Sequence, residues 1–275
     1  MDDTTETKPI FENLPTGKFH VSFSEVKLWK DCSFRHYLAH VKKINLSKPS
    51  PVLDYGTAVH AACEDYLRTR EMKPQVCFDS LNAAWKLHEN DEGFTADALQ
   101  AAKIETALIL AEIPAFLEKE FPGWITVDAE HQLYEPVENY PHAFKGFIDG
   151  VIKTTGKRGE DLYWLLDWKT TARGWFRDKR SDPMVTSQLG LYKNYWHQKN
   201  SSIPFKNVRC GFVLLKKSAK PGEHCELFAV SLGEVPIKRS LKVVGNMISS
   251  VKKGMKLKNR SSCMYCEFKG TEHCT

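Results

Sequence analysis

The chain has 275 residues, 42% of them hydrophobic, and a formal net charge of only +5. That is ample apolar material for a packed core in one large domain or two small ones, and too little charge to argue for an anionic partner by itself. No apolar run approaches the roughly 20 residues that span a bilayer. The start, MDDTTETKPIFENLPTG, has neither an export core nor the Arg-rich character of a transit peptide. A cytoplasmic, reducing location without membrane association is therefore expected, and the eight cysteines need an explanation other than disulfides.

Residues 1–17 read as a flexible tail and 18–275 as a single domain. Its parts are a helical stretch (18–122), a core (123–234) and a basic helix with a Cys-rich end (235–275). Ser22 precedes Glu25 by three residues, a capping-box spacing, and the periodicity through Val26, Trp29 and Phe34 predicts one helix across SFSEVKLWKDCSFRHYLAHV. After the Pro-broken linker NLSKPSPVLD, YGTAVHAACEDYLRTR predicts a second helix with Val59, Cys63 and Tyr66 on its apolar side. Further helices are expected over 78–90 and 95–120, the latter interrupted or bent near Pro114. WITVDAEHQLYEPVE, HAFKGFIDGVIKT and DLYWLLDWKTT read as strands. A helix follows in MVTSQLGLYKNYWHQK, then strands in VRCGFVLLKK and CELFAVSL, then a basic helix from about 235 to 253. The expected fold is α/β, a short mixed sheet flanked by helices.

Strands 144–154 and 162–170 are joined by TTGKRGED, whose glycines suit a tight reversal. With the turn centred on residues 157–158, cross-strand partners have numbers summing to about 316. Asp149 and Asp167 then face each other, a like-charge pair that is destabilising unless protonated or bridged by a cation. Lys169 shares the face of Asp167. Leu162, Trp164 and Leu166 on one face, with Tyr163 and Leu165 on the other, predict a strand covered on both sides. These charges would lie beside the core; the alternative is that they fray into solvent.

GFIDG followed by LLDWKTT resembles the core of the PD-(D/E)XK nucleases in its RecB-like exonuclease form. GTAVHAACE resembles that branch's upstream histidine motif and QLGLY its downstream Q-x-x-x-Y motif, in matching order over residues 22–274. The Pro of the family name is Ile148 here. The resemblance implies a restriction-endonuclease-like fold in which Asp149 and Asp167, the carbonyl of Trp168 and His60 bind Mg²⁺ or Mn²⁺. It implies that Lys169 orients or helps deprotonate the attacking water and stabilises charge on the phosphate. Gln188 and Tyr192 would steady Lys169 or the substrate phosphate. Glu64 would orient His60 or stand exposed, and Glu130 is an outer candidate to assist through water or a second ion.

The segment SSCMYCEFKGTEHC holds Cys263-x2-Cys266-x7-Cys274. Three cysteines so close suit metal ligation better than packing. With Cys32 as fourth ligand the set resembles the iron-sulfur subset of RecB-like nucleases, including AddB-type and CRISPR-associated members, which implies a structural 4Fe-4S cluster. The spacing before Cys274 is longer than the five residues usual there. Zinc is the rival, with His273 or His36 able to replace a thiolate. Cys63, Cys77, Cys210 and Cys225 read as small buried hydrophobes.

Between Val235 and Cys266 there is no acidic residue among Lys238, Arg239, Lys242, Lys252, Lys253, Lys256, Lys258 and Arg260, a phosphate-binding footprint. TARGWFRDKR is a second one, with Trp175 and Phe176 among cations, a texture that suits stacked single-stranded bases. The expected function is a metal-dependent DNA exonuclease acting on single-stranded or free DNA ends, in DNA repair, recombination or processing. A structure-specific endonuclease and a non-catalytic iron-sulfur or zinc DNA-binding subunit of a recombination or CRISPR-adaptation complex are the alternatives. No P-loop motif is present, so no helicase motor is expected, and no protein partner is indicated.

Overall fold

A computed structural model describes residues 11–275. In chain order its elements are β1 (His20–Ser22), α1 (Phe23–Asp31), α2 (Ser33–His36), α3 (Pro51–Thr69), α4 (Pro74–Leu87), α5 (Ala96–Glu120), β2 (Ile125–Pro136), β3 (Ala143–Thr155), β4 (Asp161–Thr171), α6 (Arg177–Ser181), α7 (Pro183–Lys199), β5 (Val208–Lys216), β6 (Cys225–Val230) and α8 (Glu234–Lys252). The fold is a mixed sheet flanked by helices, as expected. The chain divides into two compact units, one of residues 48–131 and 147–233, the other of 11–47, 132–146 and 234–275 among the described residues.

In the first of these units β3 and β4 pair antiparallel, β4 and β5 parallel, and β5 and β6 antiparallel. The parallel step needs a long crossover, supplied by α6 and α7. Ile152, Leu166, Trp168, Val213 and Leu215 form one core with Val59, Cys63 and Leu67 of α3, Cys77 and Leu81 of α4, and Ile109 and Ile113 of α5. On the opposite face, α7 brings the Trp196 ring 5.6 Å from that of Tyr163, and the Leu189 carbonyl 3.9 Å from the Cys210 thiol. Burial on both faces explains why β4 and β5 are nearly continuous apolar runs.

Helix α3 starts at Pro51, inside the stretch expected to be linker, because Pro suits the first helical turn, where its missing N–H has no partner to lose. Likewise α4 begins at Pro74. Pro114 lies inside α5, which continues through it as one 25-residue helix instead of being interrupted. In β2, Glu130 has a φ of 55°, a left-handed conformation that breaks the strand's regularity.

In the other unit β1 runs parallel to the start of β3, pairing His20 with Ala143 and Ser22 with Lys145. The single helix expected from Ser22 onward is broken. Cys32 is extended, with φ −161° and ψ 109°, and its sulfur caps α2 by accepting the Arg35 N–H at 3.5 Å. A π-helical turn, Tyr37–Val41, follows. The capping box is half formed. Ser22 accepts the Glu25 N–H at 3.3 Å, but the buried Glu25 carboxylate turns inward, 3.0 Å from His36 Nε2 and 3.4 Å from Lys18 Nζ. Residues 1–10 of the expected tail lie outside the described residues. The remainder, 11–17, packs instead of trailing: Leu14 and Thr16 are buried, and the Glu12 N–H donates to the Pro141 carbonyl at 2.7 Å.

Gly150 sits where α3 crosses β3, and a Cβ there would come within 2.6 Å of Leu67 Cδ1, closer than packed carbons approach. Gly150→Ala is expected to destabilise the protein by about 1–3 kcal/mol, the scale of overpacking a filled core. Adding Leu67→Val should recover part of the loss, with urea unfolding of the three variants as the measurement.

Candidate active site and cysteine cavity

The β3–β4 register places the charged residues. Six pairs run from Thr155 opposite Asp161 to Gly150 opposite Leu166, each summing to 316. Asp149 and Asp167 lie one step beyond, where the ladder ends. There the Trp168 N–H bonds the Asp149 carboxylate, with Oδ2 at 2.8 Å, in place of a β3 carbonyl. A residue's N–H and C=O point to the same side of a strand, so the Trp168 carbonyl faces this opening too.

Asp167 is 2% exposed, with Lys169 Nζ 2.5 Å from its Oδ2. Asp167 is therefore held in the core, while Asp149 and Lys169 are half-buried beside it. Burial, with Asp149 adding to it, pushes the Asp167 carboxyl up to about 6 against the opposing pull of Lys169. Burial works against the charge of Lys169, but Asp167 and Asp149 outweigh it and hold the amine above its ordinary range. Lys169 is thus an ammonium ion in this arrangement. From α3, His60 brings Nδ1 to 3.4 Å from Asp149 Oδ2. Burial lowers its proton affinity, and Asp149 and Asp167 more than reverse that.

Gln188, one turn before Tyr192 on α7, donates its amide to Asp167 Oδ1 at 2.7 Å and lies 3.2 Å from the Tyr192 hydroxyl. It therefore steadies the carboxylate, where the sequence suggested Lys169 or a substrate phosphate. Burial and the charge of Asp167 push the Tyr192 phenol well up, so it stays protonated. Glu64 pairs with Arg68 and not with His60. Burial, and then Glu130, raise the Glu64 carboxyl. His60, Glu64 and Glu130 line one open cavity of about 410 Å³ with Gly56 and Thr57. The role of the Trp168 N–H has no sequence signal, since it follows from where the ladder stops.

Among the described residues no three His, Cys, Asp or Glu side chains converge closely enough to hold a metal ion. The donor chemistry still suits a hard divalent cation. Two carboxylates stand together, the buried one raised to about 6 by its burial and then by its neighbour, with an imidazole and an open carbonyl beside them.

Cys32, Cys263, Cys266 and Cys274 line one cavity of about 440 Å³ together with Phe34, Leu38 and Phe268. Residues 31–34 are stapled to 257–259. The Phe34 N–H donates to the Leu257 carbonyl at 3.1 Å, the Leu257 N–H to Ser33 Oγ at 2.8 Å, and the Asn259 amide to the Asp31 carbonyl at 2.8 Å. Cys32 Sγ accepts backbone N–H groups from Arg35 and from Asn259, at 3.5 and 3.4 Å. His36, a candidate substitute ligand, is instead buried against Glu25. The cations of α8 stand exposed opposite its buried Ile237, Val244, Met247 and Ile248. Beyond the helix, Lys256 and Lys258 lie over the rings of Tyr37 and Phe34.

Because the folded-state acidity of Asp167 is weakened, from 3.8 to about 6, the native state binds its proton more tightly than the unfolded state does. Stability from this group is full below about pH 4 and is lost as pH rises through 6. Asp167→Asn, which stays neutral, is expected to exceed the metal-free wild type in stability by about 1–3 kcal/mol at pH 7. The gain should vanish near pH 4, as read from melting in EDTA across that range.

The model of the PD-(D/E)XK nuclease superfamily matches residues 20–271. No curated protein matches. Among solved structures, the crystal structure named "Putative exonuclease" from Eubacterium rectale is 16% identical, with a TM-score of 0.57, over 98% of this chain and 94% of that one. At that identity it speaks for the fold alone. The crystal structure of SSO0001 is 12% identical over 77% of this chain and 81% of that one, and its TM-score of 0.35 carries no argument. With the family's match running through both the opposed aspartates and the lysine, the chain belongs to the PD-(D/E)XK nuclease superfamily.

Proposed function

We propose that the protein is a divalent-metal-dependent deoxyribonuclease that works from DNA ends, preferring single strands, in repair, recombination or DNA processing. The observation that carries the hydrolytic part is the Asp149–Asp167–Lys169 arrangement at the end of the β3–β4 ladder. Asp149, Asp167, His60 and the Trp168 carbonyl are the proposed holders of Mg²⁺ or Mn²⁺. Such an ion, when bound, lowers the pKa of its water and offsets charge on the phosphoryl oxygens.

The chain's own residues do the rest. Lys169, kept charged by the carboxylates, is suited to orienting the water and stabilising the phosphate's developing charge, and is unsuited to taking a proton. Gln188 fixes the Asp167 carboxylate from α7 and Tyr192 backs Gln188. His60 releases its proton before its nitrogen can serve as a ligand. Action from an end rests on the resemblance to RecB-like nucleases. A non-catalytic role is disfavoured by the complete set of charged residues.

The gathering of Cys32, Cys263, Cys266 and Cys274 around one cavity supports a structural iron-sulfur cluster with those four ligands, the RecB-like feature. The backbone N–H groups of Arg35 and Asn259 aimed at Cys32 Sγ are of the kind that support a metal-bound sulfur. Zinc on the same sulfurs is the second reading.

Lys169→Ala is expected to keep DNA binding and to lose on the order of 10²–10³ in cleavage rate, the scale for one placed transition-state stabiliser. Single-turnover cleavage of end-labelled single strands measures it. A circular strand cut as fast as a linear one would turn the reading toward an endonuclease, and wild-type cleavage by the variant would remove Lys169 from the site.

Protein purified without oxygen is expected to be brown and to contain iron. Cys266→Ala should bleach it and lower its melting temperature, because a cross-link between distant parts of the chain is lost. Metal analysis of both proteins decides, with stoichiometric zinc in a colourless protein favouring the rival.

A further inference from the structure

We infer that Phe176 is a substrate-positioning residue: an exposed platform on which a base of the cleaved strand stacks, held in the turn that follows the strand of the active-site lysine. This rests on the nuclease reading above and deepens it by assigning recognition of unpaired bases to one side chain.

Strand β4 carries Asp167 and Lys169 and ends at Thr171, and the next turn of chain is pinned at several points. Thr171 Oγ1 donates to the Gly174 carbonyl at 3.1 Å, and the N–H groups of Lys217 and Ser218 donate to the Thr171 and Ala172 carbonyls at 2.9 and 2.8 Å. Gly174 has a φ of 100°, a turn that a side chain would strain. Trp175 is then buried, its ring 4.9 Å from that of Phe212 and 6.1 Å from that of Phe228. Phe212 is the β5 neighbour of Asp167 in register, and Lys169 Nζ lies 6.0 Å from its ring. Arg180 donates Nε to the Trp175 carbonyl at 2.7 Å and pairs with Glu226.

The backbone of Phe176 is therefore fixed, one residue after an anchor whose aromatic contacts lead back to Lys169. Its own ring, however, is 82% exposed. A scattered exposed aromatic needs no explanation. This one differs, because its backbone is anchored at a set place after the active-site strand and its neighbours are cationic. Exposed Arg173 and Arg177 flank it, and Lys179 lies over the Trp175 ring at 4.6 Å, with Asp178 the one acid in the turn. Cations for the backbone phosphates around an exposed aromatic face suit a single strand, whose bases have free faces, better than a duplex interior, where those faces are covered.

The test uses the full chain and a single-stranded oligonucleotide carrying 2-aminopurine at successive positions from the cut. In the Lys169→Ala background, binding is expected to quench one position strongly, and adding Phe176→Ala should abolish that quenching and weaken binding on the order of tenfold to a hundredfold. Phe176→Trp should restore both. With Lys169 intact, Phe176→Ala should raise KM by a similar factor and leave kcat nearly unchanged. An abasic site at the quenched position should erase the difference between Phe and Ala, which a merely structural role would not do. If the wild type cuts DNA and Phe176→Ala matches it in KM and quenching, or if the loss persists on the abasic strand, this inference fails alone. A wild type that neither binds nor cuts DNA overturns the nuclease reading itself.

Discussion

Two carboxylates held on one sheet face at the point where the β3–β4 ladder stops govern their whole neighbourhood, because like charges in a buried place demand compensation. Four groups nearby answer that demand. Lys169 is drawn to Asp167, the Gln188 amide to its other oxygen, and the Trp168 N–H and His60 to Asp149. Compensation is incomplete, since Asp167 is still pushed up to about 6. A buried carboxylate beside a second one is an arrangement that a divalent cation is suited to stabilise, at a cost that the empty protein bears.

The sheet makes this possible by being covered on both faces. Helices α3, α4 and α5 pack one side with Leu166 and Trp168, while α7 covers the side on which Asp167 and Lys169 point. Low dielectric strengthens each of these electrostatic contacts. Burial on its own would discharge Lys169, and it is the two carboxylates, Asp167 first, that keep the amine charged.

In the other unit the constraint is different. The hydrogen bonds that staple residues 31–34 to 257–259 bring Cys32 to the cavity of Cys263, Cys266 and Cys274. The extended conformation of Cys32 interrupts what periodicity alone would make a single helix, and that interruption turns its sulfur toward amide donors. Local helix propensity yields here to the hydrogen bonds that tie this turn to residues 257–259.

Much of this was legible in the residues themselves. Alternation, burial on both faces and the glycine-bearing turn determine the β3–β4 register, and with it the opposition of Asp149 and Asp167, because strand pairing is arithmetic once the turn is placed. The period of Val59, Cys63 and Tyr66 likewise determines which face of α3 is buried. What only the tertiary structure decided are the partners at element ends and across the chain, where no period operates. Gln188 grips Asp167 and not Lys169, Glu64 turns to Arg68 and not to His60, and Trp175 is buried while the adjacent Phe176 is exposed. Sequence spacing says which residues share a face. Which of several nearby charges or rings a side chain meets depends on how helices and loops dock on the sheet, and that is settled by packing between segments far apart in the chain.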